Sequence, residues 1–305
     1  MGPGRAGKKA SGMRLISFNI QYGFGSDGRY DLRRIADVIA DSDIICLQEV
    51  ERNWTRTGMD DQPAILSDLL PQHHWVYGPA FDMDASKVVD GRVLHRRRQF
   101  GTMILSRLPI VWSRLWPLPK RRMIDPLNTQ NAALEAMIHM PIGPVRVLSI
   151  HLAHVGVEER MEEIDFLLSH HARAPLEGGP WSGTDDEPSR NWTEGQAEPE
   201  NPSSAIWMGD FNAEPFSAEY SRICGQTPYH PGARYAGGFV DAVAAAGQRP
   251  GSLHTHEKVI AGEKRLRQLD HCFVTGDLAG RVQSVVVDNG CVASDHHPLT
   301  VEMEF

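Results

Sequence analysis

Four polar side chains in this chain stand where apolar runs end. Asn19 follows Leu15-Ile16-Ser17-Phe18, Glu49 closes Ile44-Ile45-Cys46-Leu47-Gln48, His151 closes Val145 to Ile150, and Asp210 closes Ala205-Ile206-Trp207-Met208-Gly209. A fifth group occupies Ser294-Asp295-His296-His297-Pro298. Buried strands that run out into carboxylates, amides and imidazoles are how an α/β scaffold presents reactive groups. Asp210 and Asn212 are two apart, so an extended segment points both side chains the same way and turns Phe211 into the packing. Asp295 and His296 are adjacent and reach one ligand together only from a loop. Hard oxygen donors dominate this inventory and thiolates are absent from it, which suits a catalytic Mg²⁺ or Mn²⁺ better than structural zinc.

The elements that must carry these groups alternate between strand and helix. A strand over 13–19, a helix over 31–41 capped by Asp31, and a strand over 43–49 form the first unit, with Leu32, Ile35 and Ile39 on one helical face. Pro63 to Leu70 reads as a second helix opened by its proline. Trp75 to Tyr77, Gly101 to Ser106 and Ala133 to Ile138 read as strands. The pattern restarts with a strand to His151, a helix from Val157 to about His170, a strand to Asp210, and a short helix from Ser217 to Ile223. Strands over Leu266 to Val274, Val282 to Val287 and Leu299 to Glu304 complete it. Two similar halves predict an α/β sandwich of four layers, two mixed sheets packed face to face with helices outside. One domain over 13–305 is expected after a disordered basic tail at 1–12, with a flexible insertion at about 175–204 rich in Pro, Gly, Ser and acidic residues.

With 305 residues and a net charge of -8, the chain lacks the broad positive field of a non-specific duplex binder. Cys46, Cys224, Cys272 and Cys291 form no CxxC pair, so neither a zinc knuckle nor a disulfide framework is indicated. No apolar stretch has the length of a membrane span and the first residues lack a signal-peptide core, so a cytoplasmic protein is expected. Ala6 stands where a myristoylation start carries Ser or Thr, and the Asn191-Trp192-Thr193 sequon reads as chance. A loop at about 82–99 carries Lys87, Arg92 and Arg96-Arg97-Arg98, by default a solvated face and in the sharper reading a phosphate-collecting arm.

Seven blocks in order carry a resemblance: Ser17-Phe18-Asn19, Leu47-Gln48-Glu49-Val50, Gly101 to Arg107, Ser149-Ile150-His151-Leu152, Gly209-Asp210-Phe211-Asn212, Leu269-Asp270-His271 and Ser294-Asp295-His296. From about Arg14 to Phe305 the chain resembles the metal-dependent endonuclease/exonuclease/phosphatase superfamily, related to DNase I, abasic-site endonucleases, sphingomyelinases and inositol-polyphosphate 5-phosphatases. The resemblance implies the four-layer sandwich and phosphoester hydrolysis by in-line attack of water. It makes Glu49 the principal metal ligand, Asn19 a neighbour of the metal or the phosphate, and Asp295 metal-facing. Asp210 would orient or deprotonate the water, with Asn212 holding Asp210 or a phosphate oxygen. His296, oriented and kept protonated by Asp270, would stabilise charge on the phosphoryl oxygens, and His151 would add a second donor.

Two departures from the family pattern stand out. The tyrosine tract of the abasic-site enzymes has no obvious counterpart, and the usual basic residue before Ala132-Ala133-Leu134-Glu135 is Asn131, so one phosphate contact is missing. The expected activity is a divalent-metal-dependent phosphodiesterase or phosphomonoesterase acting on a small or lipid-headgroup substrate. A DNA or RNA nuclease is the alternative, for which Arg96 to Arg98, Lys120, Arg121 and Arg122 would track the backbone. A silent binding protein of the same fold is the second alternative. His254, His271 and His297 carry no assigned role.

Overall fold

A computed structural model describes residues 12–184, 186–225, 233, 237–260 and 263–305. The expected tail at 1–12 therefore lies almost wholly outside the described residues. The element order is β1 (Gly12–Asn19), α1 (Leu32–Ile39), β2 (Ile44–Arg52), α2 (Gln62–Leu69), β3 (His74–Asp84), β4 (Lys87–Val89), β5 (Arg92–Leu94), β6 (Arg97–Ser106), β7 (Ile110–Pro117) and β8 (Ala132–Met140). It continues with β9 (Gly143–His151), α3 (Val157–Glu177), β10 (Ala205–Asp210), α4 (Ala218–Cys224), β11 (Phe239–Asp241) and α5 (Ala242–Ala245). The last strands are β12 (His256–Ile260), β13 (Glu263–Arg267), β14 (Asp270–Thr275), β15 (Val282–Val287) and β16 (Leu299–Glu304).

Two mixed six-stranded sheets, in orders β15-β16-β1-β2-β6-β3 and β11-β14-β10-β9-β8-β7, form the centre. Strand alternation sorts their side chains into three cores. Leu15, Ile44, Cys46 and Ile104 of the first sheet meet Leu134, Val147, Ile206 and Met208 of the second in the middle layer. The intervening Ile16, Ile45 and Leu47 face the other way and pack with Ile35, Ile39 and Leu66 of α1 and α2. Trp207, Leu148 and Phe273 likewise pack with Ile164 and Leu167 of α3 and with Tyr220 of α4. The result is the expected four-layer α/β sandwich. The chain halves do not map onto the sheets, however: β15 and β16 return to the first, and β7 and β8 begin the second.

Several expected elements change shape. The loop expected at 82–99 is instead a continuation of the sheet, because β3 and β6 stay paired out to Asp84 and Arg97 and the short β4–β5 hairpin caps them. The strand expected over Leu266 to Val274 breaks, since β13 pairs with β12 whereas β14 joins the second sheet. Thr255 Oγ1 fixes the junction by accepting from both Leu269 N and Asp270 N. Helix α3 runs on to Glu177 and includes Pro175 in its last turn. The start of the 175–204 stretch is tied to β7, where Arg114 Nη2 donates to the carbonyls of Gly178 and Gly179, and its end is held where Trp112 Nε1 donates to Glu200 O.

Candidate active site

Register alone aligns three of the expected groups. His151 at the end of β9 and Asp270 at the start of β14 both pair with Asp210, the last residue of β10. Gly209 permits this delivery, because a side chain there would collide with the Ile150 carbonyl oxygen of the neighbouring strand. Asn19 and Glu49 reach the same place from β1 and β2 of the opposite sheet. Asn19 Nδ2 donates to Asp210 Oδ2 at 3.1 Å and to Glu49 Oε1 at 3.0 Å, so one amide ties the two sheets together across the cleft. Its Oδ1 accepts from Gln21 N.

Backbone geometry sets the site apart from ordinary strand ends. Glu49 has φ +60°, within a register shift of β2 between Leu47 and Val50, and Gln21, Tyr22 and Asn212 are also left-handed. Non-glycine residues in that region carry strain that the surroundings must hold in place, and they cluster where side chains are aimed at a ligand. At Asn212 the structure corrects the extended geometry expected from spacing. Its backbone N–H holds Asp210 Oδ1 at 2.8 Å, while its side-chain amide donates to Leu152 O. The Asn212 side chain therefore does not brace Asp210.

Ser294 anchors the turn before β16 by donating from Oγ to Asn19 O, and His296 N donates back to that hydroxyl. His296 Nδ1 lies 2.8 Å from Asp270 Oδ2 and its Nε2 lies 3.6 Å from Asp210 Oδ2. Burial disfavours the imidazolium, but Asp270 and Asp210 outweigh it and raise His296 to about 10. Burial would also raise Asp210, yet His296 and His151 hold it low and ionised. Glu49 moves upward, chiefly through burial, with His151 opposing. His151 Nε2 stands 3.8 Å from Asp210 and 3.9 Å from Glu49, too far for hydrogen bonds.

A cavity of about 500 Å³ opens over these groups, and Glu49, Asp210, Asp295, His151, His154, His296 and Asn212 all line it. Asp210, Asp270 and His296 have donor atoms within 4.8 Å of one another, but the protonated His296 with Nδ1 engaged by Asp270 is a poor metal ligand. A hard cation fits better beside Glu49 and Asp295, whose carboxylates face the cavity with Asp210 and lack Lys or Arg hydrogen-bond partners among the described residues. Asn19 serves as a carboxylate-positioning amide. Sequence reasoning missed Tyr22, Trp54, Arg56, Phe81, Phe100 and Lys258, which line the other walls. Those positions carry no strand-end signature and meet only through the fold. His271, with Nε2 2.8 Å from Ala213 O, supports the turn after β10.

The family model described as Endonuclease/Exonuclease/phosphatase family matches residues 16–296. No curated protein matches the chain. Among solved structures, an endonuclease/exonuclease/phosphatase from Bacteroides vulgatus superposes with TM-score 0.62 at 18% identity, covering 97% of this chain and 99% of its own. One from Beutenbergia cavernae gives TM-score 0.60 at 21% identity over 96% of this chain and 72% of its own. A Bacteroides thetaiotaomicron mannosyl-6-phosphatase gives TM-score 0.58 at 17% identity over 96% and 100%. With a matching model across nearly its whole length and the same sandwich in its structural neighbours, the chain belongs to the endonuclease/exonuclease/phosphatase family.

Proposed function

We propose that the protein is a divalent-cation-dependent phosphoester hydrolase acting on a small substrate by in-line attack of water. The observation that carries this reading is the union, at one cavity, of an ionised Asp210, a protonated His296 and two further carboxylates from separate elements. When bound beside Glu49 and Asp295, Mg²⁺ or Mn²⁺ supplies Lewis-acid polarisation of a phosphoryl oxygen. Asp210, held by Asn19 and the Asn212 N–H, orients the water and accepts its proton. His296 donates from Nε2 to oxygens that gain charge, and Asp270 holds its ring in place. His151 supplies a second donor on the same side.

Two features favour a small substrate over a polymer. Arg97, paired with Asp82, and Arg121, paired with Glu158 and Glu162, do not line the cavity, so these members of the expected backbone-tracking set are held away from the site. A second cleft of about 670 Å³ next to Tyr22 and Asp295 adds Glu257 and has no Lys or Arg among its described lining residues. A phosphate backbone gains nothing there. One structural neighbour is named a mannosyl-6-phosphatase, so the architecture is compatible with a phosphorylated small molecule.

The test is a metal-supplemented screen of p-nitrophenyl phosphate, bis-p-nitrophenyl phosphate, inositol phosphates, sphingomyelin, and single-stranded and abasic DNA. Expected is turnover of small esters that EDTA abolishes and Mg²⁺ or Mn²⁺, but not Ca²⁺, restores. Turnover confined to DNA, with steep loss of affinity in salt, would replace this reading with the nuclease. No turnover of any ester would favour the silent binding protein.

A further inference from the structure

Resting on the phosphoester reading, we propose that Arg56 binds the substrate phosphate and makes a terminal phosphate, rather than a diester, the preferred group. Arg56 lies in the 3-10 turn Thr55–Thr57 that follows β2, and it is the one arginine among the described residues lining the cavity. Its position is set before any substrate arrives. Nε and Nη2 both donate to Glu51 Oε2, at 3.1 and 2.6 Å, and Glu51 is itself fully buried and accepts from Thr57 Oγ1 at 2.6 Å. The guanidinium carbon sits 3.8 Å from the Tyr22 ring centre and 4.6 Å from that of Trp54. Trp54 is fixed in turn, with Nε1 donating to Gln99 O at 2.8 Å.

A long side chain normally loses much of its freedom when it grips an anion; here the fork is already held by a carboxylate behind it and rings beside it. The side chain is still 41% exposed, and both bonds to Glu51 leave Nη1 uncommitted among the described residues. Its charge also answers the departure noted at Asn131. That neutral residue lines the same cavity, so the fixed positive charge comes from the β2 side instead.

Chemistry then selects the ester. A diester offers two free oxygens and a single charge, which the cation site and His296 can satisfy between them. A terminal phosphate has a third free oxygen and up to one further charge, which a preset guanidinium recognises through charge-assisted hydrogen bonds.

The experiment compares p-nitrophenyl phosphate with bis-p-nitrophenyl phosphate in Mn²⁺ for wild type, Arg56→Gln, Arg56→Lys and Glu49→Gln. Wild type is expected to prefer the monoester. Arg56→Gln should raise KM for the monoester on the order of tenfold or more, the loss of a hydrogen bond to a charged group, while kcat and the diester KM stay within about threefold. Arg56→Lys should recover part of the loss. Inorganic phosphate should raise the melting temperature of wild type more than that of Arg56→Gln, which reads binding without turnover. Because Arg56→Gln strands the buried Glu51, the double variant Glu51→Gln/Arg56→Gln must show the same KM defect. Recovery of KM in the double variant, equal effects on both esters, or a wild-type preference for the diester overturns the proposal. No hydrolysis of either ester by wild type overturns the phosphoester reading itself, and retained hydrolysis in Glu49→Gln overturns the cation site placed beside that carboxylate.

Discussion

Two regions of the molecule bury charge, and they treat it in opposite ways. Behind the second sheet, Arg146 is 2% exposed and fully engaged: Nη1 bonds Glu135 at 2.9 Å, Nε bonds Pro202 O at 2.6 Å and Nη2 meets His171 Nδ1 at 2.7 Å. Trp116 Nε1 takes the remaining Glu135 oxygen, and His171 Nε2 reaches Gly237 O. Burial, then Arg146, lowers His171 to about 4, so it is neutral and serves as an acceptor. At the cleft, by contrast, Asp210 and Asp270 both lie against the protonated His296, and the closest approaches of His151 to Asp210 and Glu49 stop at 3.8 and 3.9 Å. A network that closes on itself holds the fold together; in the proposed function, the one left open takes up a cation and an anion.

The contrast breaks most visibly at Asp210. Asp210→Asn keeps the acceptor to Asn212 N–H but removes the base, so kcat/KM should fall by about a thousandfold or more while stability falls by less than in Arg146→Met. Steady-state kinetics beside a thermal melt check this; a large loss of stability would place Asp210 with the structural network. Arg146→Met should do the reverse, costing about 3 to 5 kcal/mol by stranding Glu135, with kcat unchanged in the folded fraction. Urea unfolding measures it.

Smaller effects sharpen the same comparison. At a hundredfold excess over its Kd, Mn²⁺ should stabilise wild type by about 2.7 kcal/mol and Glu49→Gln far less, as read by thermal shift. Asp270→Asn should lower kcat about a hundredfold and lower the His296 pKa from about 10. His296 donates only below its pKa, so the alkaline limb of the pH–rate profile should move to lower pH.

The subtlest test uses Glu163, which burial pushes up to about 8 and which accepts from Ala153 N in the segment after His151. The folded state keeps a proton that the unfolded chain releases. Its contribution is thus full below the ordinary value of 4.5 and lost as pH rises through about 8. Glu163→Gln should flatten the decline in melting temperature between those limits.

The sandwich was legible because strands buried on both faces leave continuous apolar runs, and Asn19, Glu49, His151 and Asp210 mark where those runs stop. The bend of Glu49 was not, since a left-handed residue in a bulge leaves no periodic trace. Nor was Arg56, because Glu51 and Trp54 stand close to it in sequence but Tyr22 meets it only once β1 and β2 lie side by side. Arg97 and Arg121 looked available for phosphate, but pairing across β3–β6 and against α3 holds them to carboxylates outside the cavity. Strand β7 went unread because Ile110 to Pro117 alternates imperfectly and ends in proline.

The return of β16 to lie against β1 has a consequence for biosynthesis. Ser294, Asp295 and His296 belong to the turn that leads into this strand, and β1 remains an open edge on that side until Leu299–Glu304 arrives to pair with it. A polypeptide emerging from the ribosome holds Asn19, Glu49, His151 and Asp210 long before it holds the imidazolium that would act with them. The proposed acid and base come together only when the first and last strands of the chain zip side by side.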